Sequence, residues 1–162
     1  ALHRIGKATL TIPLIRDEIE ASGKSYGYHL LSQRRKAAPS SVVQKFALAG
    51  QANLLHVVAL HEADGKPYVL ENRWINEKIM PHSEDICFAE LSANEWLLQN
   101  TPFTHGDIDF SAKNASQREA TLLGTKPNTA LFVISRTTWD HEKAVTMVEL
   151  VFHAGHRKRT QL

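Results

Sequence analysis

Cysteine is almost absent from this chain: Cys87 is its only one. No intrachain disulfide can form, and such usage fits a reducing compartment. Flanked by Ile86 and Phe88, Cys87 reads as a small buried hydrophobe. Long apolar runs are also missing, so no segment reads as a membrane span, and the opening Ala1-Leu2-His3-Arg4 lacks the apolar stretch of a signal peptide. A cytoplasmic location is expected. There is no glycine-rich phosphate loop and no Gly-x-Ser-x-Gly elbow, so no motif marks the chain as an enzyme. Charge of one sign is not in excess: the formal net charge is +2. Lys and Arg are scattered apart from 33–36 and 157–159, which read as solvated loops rather than a nucleic-acid stripe. Nine histidines are present, yet they show no converging spacing. His56 and His61 fall on opposite faces of a strand, while His153 and His156 lie in the tail, so neither a metal nor a cofactor is expected.

What is there is an ordinary globular composition, 43% hydrophobic and 22% charged over 162 residues, enough for one domain that buries roughly two thirds of its unfolded surface. The chain begins without Met and is read as a piece of a longer protein. Thr11 and Pro13 open a helix that carries Ile12, Ile15 and Ile19 at helical spacing to Gly23. An extended segment follows at 26–35, a helix capped by Pro39-Ser40-Ser41 runs to Leu48, and 54–62 is an apolar strand. The stretch after Pro81 is irregular. Ser92 and Glu95 have the spacing of a capping box before a third helix, 103–110 is a strand candidate, and Ser116 with Glu119 caps a fourth helix over 114–123. Residues 130–139 and 145–152 form a second hairpin.

The order capped helix, turn, apolar strand, acidic turn, strand appears twice, once from Ser40 and again from Ala115. Two such units are too few for a solenoid, and they predict an α+β fold: one antiparallel sheet flanked by helices, with internal pseudo-symmetry.

One strand is chemically unusual. Glu71, Asn72 and Arg73 sit among Val69, Leu70, Trp74 and Ile75. A two-residue turn at Asp64-Gly65 would set Val58 opposite Glu71, and a three-residue loop with Ala63 would set Val57 there. The longer loop is favoured because it pairs Glu62 with Lys66. It groups Val57, Ala59 and His61 with Val69, Glu71, Arg73 and Ile75 on one face. That face is either a solvated ionic patch or the wall of a pocket in which Arg73 pairs with a carboxylate and Glu71 orients a donor. The exposed N–H groups at the start of the Ser92 helix are a further anion candidate.

The segments "HEADGKPYVLENRWINEKIMP", "LSANEWLLQNTP" and "EATLLGTKPNTALFVISRTTWD" resemble the effector-binding UTRA domain of GntR-superfamily regulators of the HutC subfamily, and within it the histidine-utilisation repressors. The resemblance runs from about Pro13 to Gly155. It implies a chorismate-lyase-like fold, with 1–12 a residual linker, 13–157 the effector-binding domain, and an N-terminal winged helix-turn-helix outside this chain. It implies a homodimer, operator DNA bound only through that other domain, and control by a small effector. Sugar-phosphate sensors of the family carry two arginines where this chain has Ala59 and His61, which argues against a phosphorylated effector. The family's pocket glutamate corresponds to Glu71 and its anion-binding helix start to Asn94, with Trp96 near. His61, Arg73, Arg136 and Thr146 complete the candidate effector set. The family's closing tyrosine is missing from Gly155-His156-Arg157-Lys158. The implied role is the sensor of a repressor of histidine catabolism, answering to urocanate or a relative. The alternatives are a sensor of another small carboxylate or amino-acid derivative, and a chorismate-lyase-like enzyme.

Overall fold

The computed structural model describes residues 14–80 and 86–159. Six strands, β1 Tyr26–Ala37, β2 Asn53–Ala63, β3 Lys66–Ile75, β4 His105–Asn114, β5 Ala130–Asp140 and β6 Lys143–Phe152, form one sheet in the order β1-β2-β3-β6-β5-β4. Every neighbouring pair is antiparallel. Among the described residues four α-helices are interleaved: α1 Ile15–Ala21, α2 Ser40–Lys45, α3 Ala93–Asn100 and α4 Gln117–Leu123. The expected α+β sheet with internal repetition is therefore what the chain builds. The repeat is longer than its sequence echo, because helix-strand-helix-strand-strand occurs twice. The halves meet where β3 pairs with β6.

Alternation along the strands sorts the core onto two faces. One face carries Val58, Leu60, Leu70, Val133 and Val151 beneath Ala120 and Leu123 of α4, and Leu54, Trp74 and Ala144 beneath Val42 of α2 and Phe46 just after it. The other packs Leu55, Val57 and Ile75 against Ala93 and Leu97 of α3, while Val69, Ile134, Val148, Leu150 and Phe152 meet Ile15 of α1. This second face holds the charged residues.

The turn after β2 has two residues, not three. Ala63 pairs with Lys66, and Asp64 and Gly65 both have positive φ, 51° and 71°, as a type I′ hairpin requires. Glu62 consequently lies opposite Pro67 rather than Lys66. A register shift then makes Tyr68 an extra residue, so Glu71 faces Ala59 and Arg73 faces Val57. The loop and the partners differ from expectation, yet the bulge restores the parity. His61, Glu71 and Arg73 still share a face.

Other local expectations are corrected by tertiary context. The proposed start of the first helix at Thr11 and Pro13 lies outside the described residues, as do residues 81–85 at the start of the irregular stretch. The second helix ends at Lys45, well short of Leu48, since Ala47 turns to positive φ, and its N-cap Pro39 makes no side-chain cap. The strand candidate at 103–110 runs instead from His105 to Asn114. Arg34 and Arg35 are exposed on β1 rather than in a loop, with Arg35 paired to Glu77 at 2.7 Å. Cys87 is exposed, and its neighbour Phe88 is the buried residue.

The C-terminal segment folds back so that the His156 ring stacks on Phe152 at 4.0 Å, with its Nε2 buried and unpartnered. Burial lowers its pKa to about 4, whereas an unfolded histidine titrates near 6.5. Being depressed, this group contributes stability that is present above about pH 6.5 and is lost as pH falls toward 4. His156→Phe keeps the stack and removes the orphan nitrogen. Urea unfolding across this window should show a flatter pH dependence for the variant, with stability at pH 5 no lower than wild type.

Candidate functional site

At the centre of the second face, Glu71, Arg73 and His61 are 1%, 1% and 2% exposed. The solvated-patch reading therefore fails. Arg73 Nε donates to Glu71 Oε1 at 2.5 Å, and His61 Nε2 lies 2.7 Å from Glu71 Oε2. Burial alone would push the Glu71 carboxyl up, but the charge of Arg73 and the bond from His61 more than offset it. Glu71 is thus held well below the usual carboxylate range. An ionised Glu71 only accepts, so His61 Nε2 carries the proton. The Tyr26 hydroxyl sits 2.8 Å from His61 Nδ1.

The remaining guanidinium nitrogens of Arg73 donate to Thr146 Oγ1 and Asn94 Oδ1, both at 3.3 Å. Asn94 Oδ1 also accepts from Arg136 at 2.5 Å. Arg136 differs from Arg73 in one decisive respect. Among the described residues no carboxylate lies within ion-pair distance of it. Burial, with the adjacent Arg73 charge, lowers its pKa to about 10, so it stays cationic at neutral pH.

The start of α3 is already satisfied. Ser92 Oγ accepts from the Glu95 N–H at 3.3 Å and donates to the Glu95 carboxylate at 2.7 Å, and Arg16 of α1 donates to that carboxylate at 2.7 Å. The first turn of α3 therefore holds its own anion.

Two cavities meet at Leu14, Asn94 and Arg136. The inner one, bounded by Tyr26, His61, Glu71, Arg73 and Glu95, has a free volume of about 20 Å³, room for one water. The outer one, between α3 and strands β4, β5 and β6, has about 490 Å³, within the usual range for a small-molecule site. Leu97, Leu98, Phe103, Ile108 and Val145 line it with Thr101, Thr138 and Thr146, and Leu98 and Phe103 remain exposed at its rim.

Of the seven residues picked from sequence, His61, Glu71, Arg73, Asn94, Arg136 and Thr146 converge here. Trp96 does not line either cavity; it packs beside Phe88 at 6.1 Å in the apolar cluster beneath α3. It lies on another side of α3 from Asn94, because residues two apart on a helix do not share a side. Sequence reasoning missed Arg16, Tyr26, Glu95 and Thr101. The alternation of Tyr26 and Tyr28 could have flagged the tyrosine, but the others are brought in by helix packing alone.

The sequence pattern of the UTRA domain matches residues 21–158. The chain belongs to the UTRA domain family. Among curated relatives, the histidine utilization repressor of Pseudomonas putida is 27% identical over 147 residues, covering 91% of this chain and 59% of the relative. That of Klebsiella aerogenes is 25% identical over 108 residues, covering 67% and 44%. This UTRA domain thus spans a little more than half the length of the two Pseudomonas repressors it matches, 59% and 58%. The C-terminal domain of the histidine utilization repressor from Pseudomonas syringae pv. tomato superposes with a TM-score of 0.77 at 23% identity, over 85% of this chain and 99% of that one. PhnF from Mycobacterium smegmatis gives 0.82 at 20% identity, over 93% and 68%. These likenesses establish the UTRA fold.

Removing one member of a buried ion cluster leaves the others uncompensated, typically at a cost of about 3–5 kcal/mol. Glu71→Ala should lower unfolding stability by about that amount in urea titrations at pH 7. Because the Glu71 pKa is depressed, its contribution is present above the ordinary carboxylate range and is lost as pH falls through and below it. The gap between wild type and variant should therefore narrow from pH 5 downward.

Proposed function

We propose that this UTRA domain is the sensor of a transcriptional repressor of histidine catabolism, and that it binds a small carboxylate effector through Arg136. The observation that carries this reading is the half-buried Arg136 guanidinium, placed at the mouth of a 490 Å³ chamber without an acidic partner of its own among the described residues. Arg73 is a poorer anion partner than sequence suggested, because Glu71 already neutralises it. A carboxylate arriving at Arg136 gains a charge-assisted bidentate pair and relieves the repulsion between two neighbouring guanidinium groups. The inner cavity is too small for an imidazole ring, so the body of the effector extends into the outer chamber.

Urocanate, a flat imidazole acrylate, is the specific candidate; the names of the relatives support histidine utilization as its setting. On this reading the effector controls operator binding by a winged-helix domain outside this chain, and two such domains pair as a homodimer. The domain acts in the cytoplasm, without metal or cofactor, and performs no catalysis. Control requires the effector to prefer one arrangement of the repressor. A tenfold preference corresponds to about 1.4 kcal/mol, within reach of one carboxylate–arginine contact.

Calorimetry with urocanate, histidine, imidazole propionate and a sugar phosphate tests this. Urocanate should bind and the sugar phosphate should not, and Arg136→Gln should weaken urocanate at least tenfold with unfolding stability nearly unchanged. Unchanged affinity in the variant would remove Arg136 from the site. Saturable binding of the sugar phosphate alone would overturn the carboxylate assignment.

A further inference from the structure

Two strands, β1 and β4, form the edges of the sheet. β1 is guarded: its pairing is broken by a bulge at Leu31, and Arg34 and Lys36 place like charge on it. β4 has no bulge. It pairs with β5 over its full length without a register shift, and no strand among the described residues meets its other side. Just beyond β4, Ala115 donates to Thr129 O at 2.8 Å and continues the same register. Backbone groups of an antiparallel strand alternate in direction, so Asp107, Asp109, Ser111 and Lys113 bond to β5. Gly106, Ile108, Phe110, Ala112 and Asn114 then aim their N–H and C=O groups outward. Side chains alternate as well. Lys113 bonds Glu119 of α4 and Asp107 bonds Lys45 of α2, which puts the odd-numbered residues on the α2–α4 face. Ile108 and Phe110 belong to the face that holds the effector chamber. There Phe110 is 49% exposed, its ring stacked on Phe132 at 6.2 Å.

We propose that β4 is the docking edge for a second copy of this chain, paired antiparallel about Phe110 so that the two sheets run on as one. This inference rests on the reading that two such domains pair, and it adds where they do so. A two-fold axis at Phe110 sets that ring against its own copy and Ile108 against Ala112. On the other face it sets Asp107 against Lys113 twice, and Asp109 against Ser111. Asp107 and Lys113 both keep exposed side-chain surface beside their partners within the chain. Sliding two residues one way would put Asp109 opposite Asp109. Sliding two the other way keeps an Asp–Lys pairing, Asp109 with Lys113, but separates the phenylalanines. Charge and aromatic surface together select the register centred on Phe110, and the outward N–H and C=O groups gain partners in it.

The test uses the 162-residue chain in analytical ultracentrifugation. Wild type should sediment as a concentration-dependent dimer. Ala112→Pro removes one outward N–H, which an edge strand tolerates. Its circular dichroism and Tm should be nearly unchanged while the dimer dissociation constant rises at least tenfold. Cross-linking in a Cys87→Ser background reads the register. The double variant Asp109→Cys, Ser111→Cys sets each thiol against one of the second copy at a Cα separation of about 4.5 Å, within disulfide reach. It should give a covalent dimer under mild oxidation, and Asp109→Cys alone should cross-link far less. Equal cross-linking of the single variant, or none in the double, would overturn the register. A dimer indifferent to Ala112→Pro would overturn this surface while leaving the pairing of copies intact. A chain monomeric throughout would overturn both, and none of these outcomes bears on Arg136, whose effector affinity is read separately.

Discussion

Everything in this molecule turns on a carboxylate that cannot reach water. Glu71 lies on β3, flanked in the sheet by β2 and β6, opposite Ala59 on one side and Leu150 on the other. An isolated charge there would be neutralised or the strand would slip. Arg73, two residues along and so on the same side of the pleat, neutralises Glu71, and His61 supplies the second bond. The small Ala59 side chain leaves space for both to close in. One residue of slip would drive this cluster into the opposite apolar face, so the ionic cluster helps fix the register of the sheet it sits in.

The same cluster defines what is left over. The two repeats are alike in backbone, but their faces are not. Val148 and Leu150 on β6 stand where β3 carries Glu71 and Arg73. The second repeat therefore brings Arg136 to the boundary without an acid among the described residues to answer it. Pseudo-symmetry builds the sheet, and its local failure builds the site. α1 adds a link of its own: Arg16 stacks over Tyr26 at 4.3 Å and bonds Glu95, tying the first described helix to the helix that carries Asn94.

The repeated order of helix and strand was legible as pattern, because alternation and capping are local. The shared face of His61, Glu71 and Arg73 was also legible, though for a partly mistaken reason: the loop has two residues, and the bulge at Tyr68 restores the parity that a third would have supplied. No local signal marks that bulge. Arg136 could be nominated from sequence, but its lack of an acidic partner could not, since that depends on which side chains Glu71 and Asn94 have already engaged. Trp96 was misplaced because nearness in sequence to Asn94 does not survive the turn of a helix.

The central claim is that Glu71 occupies Arg73 so that Arg136 receives the acid of the effector. A crystal structure of this domain with urocanate tests it most directly. The account predicts the carboxylate within about 3 Å of the Arg136 guanidinium, the ring lying in the outer chamber, and the Glu71–Arg73 pair intact. A carboxylate seated on Arg73 with Glu71 displaced, or on the first turn of α3 with Glu95 swung away, would contradict it.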